Sequence, residues 1–167
     1  MTTSGGARFE VAVDREWRIP AQGQETPVAI ALKVTNLTDK PLRLQPWGTI
    51  RIEVTGPDGR PLTVDGGRNG VASAGHLPEV APGQSILIER PAVLKWVGQN
   101  LRLIGDDPAG GVWYFDGLTA GRWSLRISHS NSAPRIPDQD IQVWNGDVLT
   151  EPVSVESSPT ESSKRLE

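Results

Sequence analysis

The chain has 167 residues, a length that fits one compact domain. It contains 17 Lys and Arg and 20 Asp and Glu, which give a net charge of −3. It contains no cysteine, which excludes disulfides, thiolate catalysis and cysteine-ligated zinc. The 18 glycines and 14 prolines predict frequent turns and few long helices.

Two classes of partner are disfavoured by the distribution of charge and apolar residues. The arginines are spread from Arg8 to Arg165 and form no basic stripe, which disfavours nucleic acid. The longest apolar run is Val28-Ala29-Ile30-Ala31-Leu32, far short of the roughly 20 residues that cross a bilayer. The sequence therefore predicts neither a nucleic-acid ligand nor a membrane span.

Both ends of the chain are predicted to be flexible. Residues 1–6 are small and polar, and residues 157–167 are Ser-rich with Leu166 as their one large apolar residue, too little to offset the entropy of ordering. Leu166-Glu167 resembles a cloning-site scar. The start lacks the basic and apolar regions of a secretory signal, so a cytoplasmic location is the default expectation. A signal removed beforehand would leave the same start, so the compartment stays open.

Apolar residues alternate with a period of two along most of the chain between residues 7 and 156. The stretches free of Gly and Pro reach only 12 or 13 residues, and their periodicity indicates strands, not helices. About ten strands are predicted. Their apolar sets are Phe9/Val11/Val13, Val28/Ile30/Leu32/Val34, Leu42/Leu44, Ile50/Ile52/Val54, Ile86/Ile88, Leu101/Leu103, Trp113/Phe115, Trp123/Leu125/Ile127, Ile141/Val143 and Val153/Val155.

Turn motifs separate these strands and indicate an antiparallel arrangement. Many short strands without an intervening helical pattern predict an all-β protein, an antiparallel β-sandwich that forms a single domain over residues 7–156. Residues 65–84 carry five glycines and are predicted to be a long irregular loop. The turn motifs are Gly56-Pro57-Asp58-Gly59, Ala81-Pro82-Gly83 and Ala120-Gly121.

The sequence contains no recognisable catalytic motif. Ser73 lies in a glycine-rich segment before His76, but the spacing does not match a nucleophile elbow, and no helix is predicted to follow. The only other histidine is His129, so a three-histidine zinc site is impossible. Neither the dinucleotide glycine motif nor the P-loop is present. We therefore predict no enzyme activity, no catalytic residue and no cofactor.

Two groups of aspartates are the only candidates for a metal or an acid/base pair. Asp106 and Asp107 stand together, and Asp138 and Asp140 flank a glutamine. Neither group follows the ligand order of an EF-hand, and loop aspartates commonly cap turns through their own backbone. No metal site is predicted.

Tryptophan is unusually frequent, with six Trp against two Phe and one Tyr. Exposed tryptophans on a β-sandwich can stack on sugar rings. Trp47 follows a strand and Trp144 falls on the face opposite Val143, so these two are the candidates for exposure. The favoured interpretation of both is nevertheless a strand-end tryptophan that closes the edge of the sandwich with its N–H bonded. The other four share the register of apolar neighbours and are predicted to lie in the core: Trp17, Trp96, Trp113 and Trp123.

The segment Leu118-Thr119-Ala120-Gly121-Arg122-Trp123 resembles the short turn followed by a strand that is common in immunoglobulin-like and fibronectin III-like sandwiches. Together with Asn36-Leu37-Thr38 and Ala81-Pro82-Gly83, it is similar to bacterial modules of that type, many without an assigned function. The resemblance implies an immunoglobulin-like fold. The chain departs from antibody domains in lacking the cysteine pair and in carrying Trp123 in place of the corner tyrosine. A weaker likeness, to bacterial intracellular proteinase inhibitors, carries over no inhibitory motif.

Three functions follow as hypotheses. The first is a monomeric, non-catalytic module that binds a protein partner, the second is carbohydrate recognition through exposed tryptophans, and the third is protease inhibition through a loop. The long loop of residues 65–84, together with Trp47 and Trp144 if they are exposed, is the predicted recognition surface, since rigid sandwiches commonly carry function on loops. The alternative is that this loop is a tolerated insertion without a function. The candidate binding residues are Trp47, Trp144, Arg68, Asn69 and His76.

Overall fold

The structure is a computed structural model. It describes residues 1–45, 49–68, 77–107, 111–132 and 142–160.

The described residues form seventeen strands and no helix, so the prediction of an all-β protein is confirmed. The strands are β1 (Thr2–Ser4), β2 (Ala7–Val13), β3 (Glu16–Ile19), β4 (Glu25–Val28), β5 (Ile30–Asn36), β6 (Leu42–Arg43), β7 (Ile50–Thr55), β8 (Asp65–Arg68), β9 (Glu79–Val80), β10 (Ser85–Glu89), β11 (Ala92–Val97), β12 (Asn100–Asp106), β13 (Gly111–Asp116), β14 (Gly121–Asn131), β15 (Gln142–Val143), β16 (Gly146–Leu149) and β17 (Val153–Pro159).

The strands assemble into four sheets. The first has the order β1-β2-β5-β10, and the second has the order β4-β11-β12-β13-β8. The third has the order β16-β14-β17-β3, with β7 also paired to β14, and the small fourth sheet has the order β15-β6-β9. The described pairs are antiparallel except β15 with β6 and β17 with β3, which are parallel. Several antiparallel sheets around one core are consistent with a β-sandwich.

The inward faces follow the predicted alternation. Ile30, Ile52 and Leu125 are buried, whereas Arg51 on the opposite face of β7 is exposed. Burial of one face per strand is the main stabilising term of such a sheet. The largest fully buried side chains are Trp17, Trp144, Phe9, Phe115, Ile30, Leu32, Leu42, Leu44, Leu94, Leu103, Leu125 and Ile127.

The turn motifs form as predicted. In the proline-glycine turn, the amide of Gln84 donates to Ala81 O (3.0 Å) and Gly83 has φ +71°, which is the geometry of a type II turn. In the Gly56-Pro57-Asp58-Gly59 turn, Gly59 N donates to Gly56 O (2.9 Å). The φ of Gly59 is +78°, a conformation that favours glycine. The first turn leads into β10 and the second reverses the chain after β7.

The chain start forms a short strand, which the sequence analysis did not predict. Residues of β1 pair with β2 through a two-residue turn in which Gly5 and Gly6 have φ +53° and +75°, the combination that a type I′ hairpin requires. At the other end, β17 continues to Pro159 and pairs with β3, so residues 157–159 also belong to a strand. Residues 161–167 lie outside the described residues.

The predicted irregular loop of residues 65–84 has strands at its ends. β8 pairs with β13 and β9 pairs with β6. Residues 69–76, which contain most of the polar candidates in this loop, lie outside the described residues. The loop prediction was therefore wrong for the terminal parts, because pairing with distant strands overrides the local glycine content.

Asn36 forms a buried polar turn after β5. Its Nδ2 donates to Lys40 O (2.7 Å) and Val80 O (2.9 Å), while its Oδ1 accepts from the amide and hydroxyl of Thr38 at 2.9 and 2.7 Å. Every polar atom of the side chain is thereby bonded. The Asn36-Leu37-Thr38 sequence is therefore a structural turn that joins β5 to β9.

Candidate functional site

Most of the predicted binding residues cannot be placed. Trp47, Asn69 and His76 lie outside the described residues. The backbone of Arg68 pairs with Gly111 at the end of β8, and its side chain is not described. The predicted cluster of these residues therefore stays a prediction.

Trp144 is not available as an exposed binding residue, because its side chain is 0% exposed; it is buried, which agrees with the favoured interpretation of a strand-end tryptophan that closes the sandwich. Its ring contacts Phe9 (centroids 5.0 Å) and His129 (4.6 Å), and its indole N–H donates to Ser4 O at 3.1 Å. A Cβ on Gly5 would lie 2.9 Å from the indole nitrogen, so the glycine turn sits directly on the ring. Trp144 is a core residue that anchors the chain start.

His129 is buried beside Trp144 and has an altered pKa. Its Nε2 donates to Gln45 O at 3.1 Å, since a carbonyl only accepts, and its Nδ1 has no hydrogen-bond partner among the described residues. The pKa of His129 is lowered to about 4, chiefly by burial and also by the nearby charge of Arg90, while the hydrogen bond to the Gln45 carbonyl counteracts part of the shift. The imidazole is therefore neutral at pH 7, and it packs as an aromatic core residue.

A pocket of about 250 Å³ lies between β7 and β8 and is called the β7–β8 slot here. Its walls come from the start of β7, the segment that enters β8, the start of β13, and two charged residues at strand ends. The lining residues are Ile50, Arg51, Ile52, Val64, Asp65, Gly66, Arg90, Asp107, Val112 and Trp113.

The slot arises because the chain leaves β7 soon after the Gly56–Gly59 turn. Thr55 and Pro61 form an isolated bridge, and Leu62 N donates to Val54 O at 2.8 Å. A regular hairpin would then place Val64 opposite Ile52, but the chain instead crosses to pair with β13. The two strands diverge, and the slot is the space between them.

Trp113 forms one wall of the slot and lies between two glycines of the neighbouring strands. In the ladder of the second sheet it stands between Gly105 and Gly66. A Cβ on Gly105 would lie 2.3 Å from the Trp113 ring, so the indole covers that glycine, and it packs edge-on against Phe115 (centroids 6.0 Å). Trp113 is half-buried, and its indole N–H has no hydrogen-bond partner in the described part of the chain.

Arg90 brings a positive charge to the slot from the link between β10 and β11. Its side chain is 6% exposed, and its Nη1 donates to Glu89 O at 3.1 Å. Burial lowers the pKa of the Arg90 guanidinium below its ordinary value, and the carboxylate of Asp107 counteracts part of that shift. The guanidinium stays charged at pH 7, so Arg90 and Asp107 act as an electrostatic pair in this wall.

The charges at the slot are not all compensated. Asp65 attracts Arg102, whose pKa is raised chiefly by its hydrogen bonds to Asp116 at 2.6 and 2.8 Å. Arg51, by contrast, makes no ion pair or hydrogen bond through its side chain with any described residue. The one uncompensated charge that lines the described slot is therefore positive.

The other predicted groups do not form a reactive site in the structure as described. Asp106 is exposed, and its neighbour Asp107 belongs to the slot. Asp138 and Asp140 lie outside the described residues. No group of three or more His, Asp or Glu in the described ranges is placed to hold a metal ion. No helix in those ranges is suited to span a membrane.

Sequence reasoning missed the slot, because neither Trp113 nor Arg90 carries a local signal that it would line one. Trp113 alternates with Phe115 and was predicted to be core, which is correct for its packing but not for its half-exposed edge. Arg90 follows an alternating strand and gives no sign that it will be buried. No model of a known protein family matches the chain, and no curated protein matches it significantly.

Proposed function

We propose that the chain is a non-catalytic protein-interaction module with an immunoglobulin-like sandwich topology, and that the β7–β8 slot holds part of its partner. The observation that carries the proposal is the composition of the slot. Five of its ten lining residues are Ile, Val or Trp, and Arg51 and Arg90 add positively charged hydrogen-bond donors. Apolar walls with a few polar groups are typical of binding sites.

The size of the slot favours a protein segment as the ligand. At about 250 Å³ it is smaller than the roughly 300–1,000 Å³ of pockets that enclose a drug-sized ligand. A side chain of a partner protein fits such a space, with the rest of the partner resting on the surrounding strands. Interfaces commonly place one apolar anchor in a pocket of this kind.

The chemistry of the lining supports binding over catalysis. Its described side chains are Ile, Val, Trp, Arg and Asp, and none of them is a nucleophile beside a general base. Each carboxylate has an arginine close by, Asp107 with Arg90 and Asp65 with Arg102. Carbohydrate recognition loses one of its two tryptophans, since Trp144 is buried, and no described contact favours protease inhibition.

The test is selection of binding peptides from a random displayed library, followed by titration of synthetic copies with two variants. Val64 and Val97 are both exposed aliphatic residues, at 50% and 41%, but only Val64 lines the slot. We expect Val64→Glu to weaken binding at least about tenfold, because it places a carboxylate in an apolar anchor site. Val97→Glu is the matched control and is expected to bind normally.

The same titration with an oligosaccharide array and a panel of proteases tests the other two hypotheses. Peptide binding that Val64→Glu removes supports the proposal. Failure to select any peptide, equal loss in both variants, or saturable binding of an oligosaccharide without peptide binding would overturn it.

A further inference from the structure

The hydrogen-bond phase of β7 determines which backbone groups face the slot. Ser130 N donates to Thr49 O at 3.0 Å, just beyond the β7–β14 ladder. In an antiparallel ladder every second residue exchanges bonds with the partner strand. Counting from Thr49, the backbone of Arg51 and Glu53 therefore faces β14.

The intervening residues of β7 face the opposite edge. The bond from Leu62 N to Val54 O lies on that edge and has the same phase. The N–H and C=O groups of Ile50 and Ile52 then point towards the slot, and no described strand pairs with them there. This short stretch of β7 is an open sheet edge, with donors and acceptors spaced for another strand.

The facing wall has a similar edge. Asp107 N donates to Gly111 O at 2.9 Å, so Gly111 faces β12 and the next residue, Val112, faces β8. In the β13–β8 ladder Val112 pairs with Gly67, and the backbone of Gly66 therefore points away from β13. Gly66 lines the slot, so both walls present unpaired backbone groups to it.

We propose that the slot binds an extended segment of a partner protein, which adds to β7 as a strand along Ile50–Glu53. The inference rests on the proposed function and specifies its mode. An added strand would take the place that the chain leaves vacant when it diverges from β7 after Leu62. Main-chain hydrogen bonds would supply affinity, and alternate side chains would supply specificity.

The chemistry of the partner segment follows from the two faces of β7. Side chains opposite Ile50 and Ile52 point into the slot, where Val112 and Trp113 form apolar walls, so these positions take apolar residues. The position opposite Arg51 lies on the outer face and takes an acidic residue, since Arg51 has no ion pair with a described residue and the nearby carboxylates have arginines. The expected motif is apolar-acidic-apolar.

Amide hydrogen exchange of the free protein is the first test, and it needs no ligand. The amides of Arg51 and Glu53 bond to β14 and are expected to exchange slowly. The amide of Ile52, in the same strand between them, faces the slot and is expected to exchange faster. Equal protection of all three would show that the edge is already paired, by the chain itself or by a second copy, and would overturn the proposal.

Peptides selected from the displayed library provide the second test. N-methylation removes a backbone donor, so methylating the amides that face β7 should weaken binding about three- to tenfold per bond, whereas methylating the alternate amides should not. Binding should also slow exchange at Ile52. Arg51→Glu should shift the preference from peptides with an acidic central residue to those with a lysine there.

The outcomes separate the two proposals. Peptides that bind and are sensitive to Val64→Glu, but indifferent to which amides are methylated, would leave the interaction module standing and overturn strand addition. Selected peptides without the alternating motif would also overturn it. If no peptide binds, both proposals fail.

Discussion

Trp144 and Trp113 have nearly opposite surroundings, and the contrast distinguishes the core from the site. Trp144 is fully buried, its indole N–H is bonded to Ser4 O, and its ring contacts two other rings. Trp113 is half-buried, covers Gly105, and has an indole N–H without a described partner. The first tryptophan completes a packed interior, and the second leaves a half-exposed ring at the slot.

The contrast extends to the backbone around each ring. Near Trp144, the chain folds back as the β1–β2 hairpin and closes over the indole with Gly5. Near Trp113, the chain diverges from β7 and leaves strand edges open on both sides of the slot. An aromatic residue therefore becomes a binding candidate where the local strands fail to close around it, and its position in the alternation pattern does not decide the matter.

The largest expected effect is on the stability of Trp144→Ala. Removing a fully buried indole creates a cavity and also removes the anchor of the chain start, so we expect a loss of about 3–5 kcal/mol in the free energy of unfolding. Denaturant unfolding followed by circular dichroism measures it.

Trp113→Ala is the matched comparison. Its ring is only partly buried, so we expect a cost below that of Trp144→Ala, together with loss of peptide binding at the slot. Equal destabilisation by the two variants would mean that Trp113 is a core residue and that the contrast drawn between the two regions is wrong.

The next effect is the dependence of stability on pH that His129 introduces. Its pKa is about 4 in the folded protein against 6.5 for the ordinary side chain, so the unfolded chain takes up the proton first. The stabilisation that comes from the neutral His129 ring is complete above about pH 6.5, and it is lost as the pH falls from there to about 4. The expected loss over this window is about 3 kcal/mol.

His129→Gln isolates this contribution, because His76 is the only other histidine and is present in both proteins. The difference between the two stability curves should change between pH 6.5 and 4 and be flat above pH 7. Titration of the His129 ring by NMR should show no protonation at pH 6. A midpoint near 6.5 in the folded protein would contradict the buried environment.

Strand faces could be predicted from the sequence where a strand is long and one face is apolar. Ile30, Ile52 and Leu125 are buried as their alternation predicts, because the period of two follows from strand geometry. The missed strands β1, β3, β4, β8, β9 and β16 have only two to four residues, too few for a period to be visible. β11 carries apolar residues on both faces, which also hides the alternation.

Alternation cannot say which face is buried, and this is why Trp144 was a candidate both for exposure and for closing the sandwich. The contacts that decide it come from Phe9 and from the hairpin turn at Gly5, both far away in the sequence. The slot could not be predicted from the sequence at all. It depends on Pro61 and Leu62 pairing with β7 and on Asp65 pairing with Tyr114 in another sheet, which are long-range choices without a local signature.

A moderate effect is expected when β8 is disturbed. A Cβ at Gly66 would lie 2.0 Å from Val112 O, and its φ is +138°, so Gly66→Ala must displace β8 from β13. We expect a cost of about 1–3 kcal/mol and faster amide exchange at Val112. Gly117→Ala is the control, since its φ is +79° but nothing lies within 4 Å. Equal costs would show that conformational strain alone matters and that β8 is loosely held.

The smallest expected effect on stability is at Arg51, where it separates a binding role from a structural one. Arg51 is exposed and makes no ion pair among described residues, so Arg51→Ala should change the free energy of unfolding by less than about 0.5 kcal/mol. Arg126→Ala, on the neighbouring strand, loses the 2.8 Å contact with Glu53 and should cost up to about 1 kcal/mol, the range of surface ion pairs.

Peptide binding should show the reverse order, with Arg51→Ala the weaker binder, because only Arg51 faces the vacant strand position. A variant pair in which Arg126 affects binding more would place the recognition surface elsewhere on the third sheet.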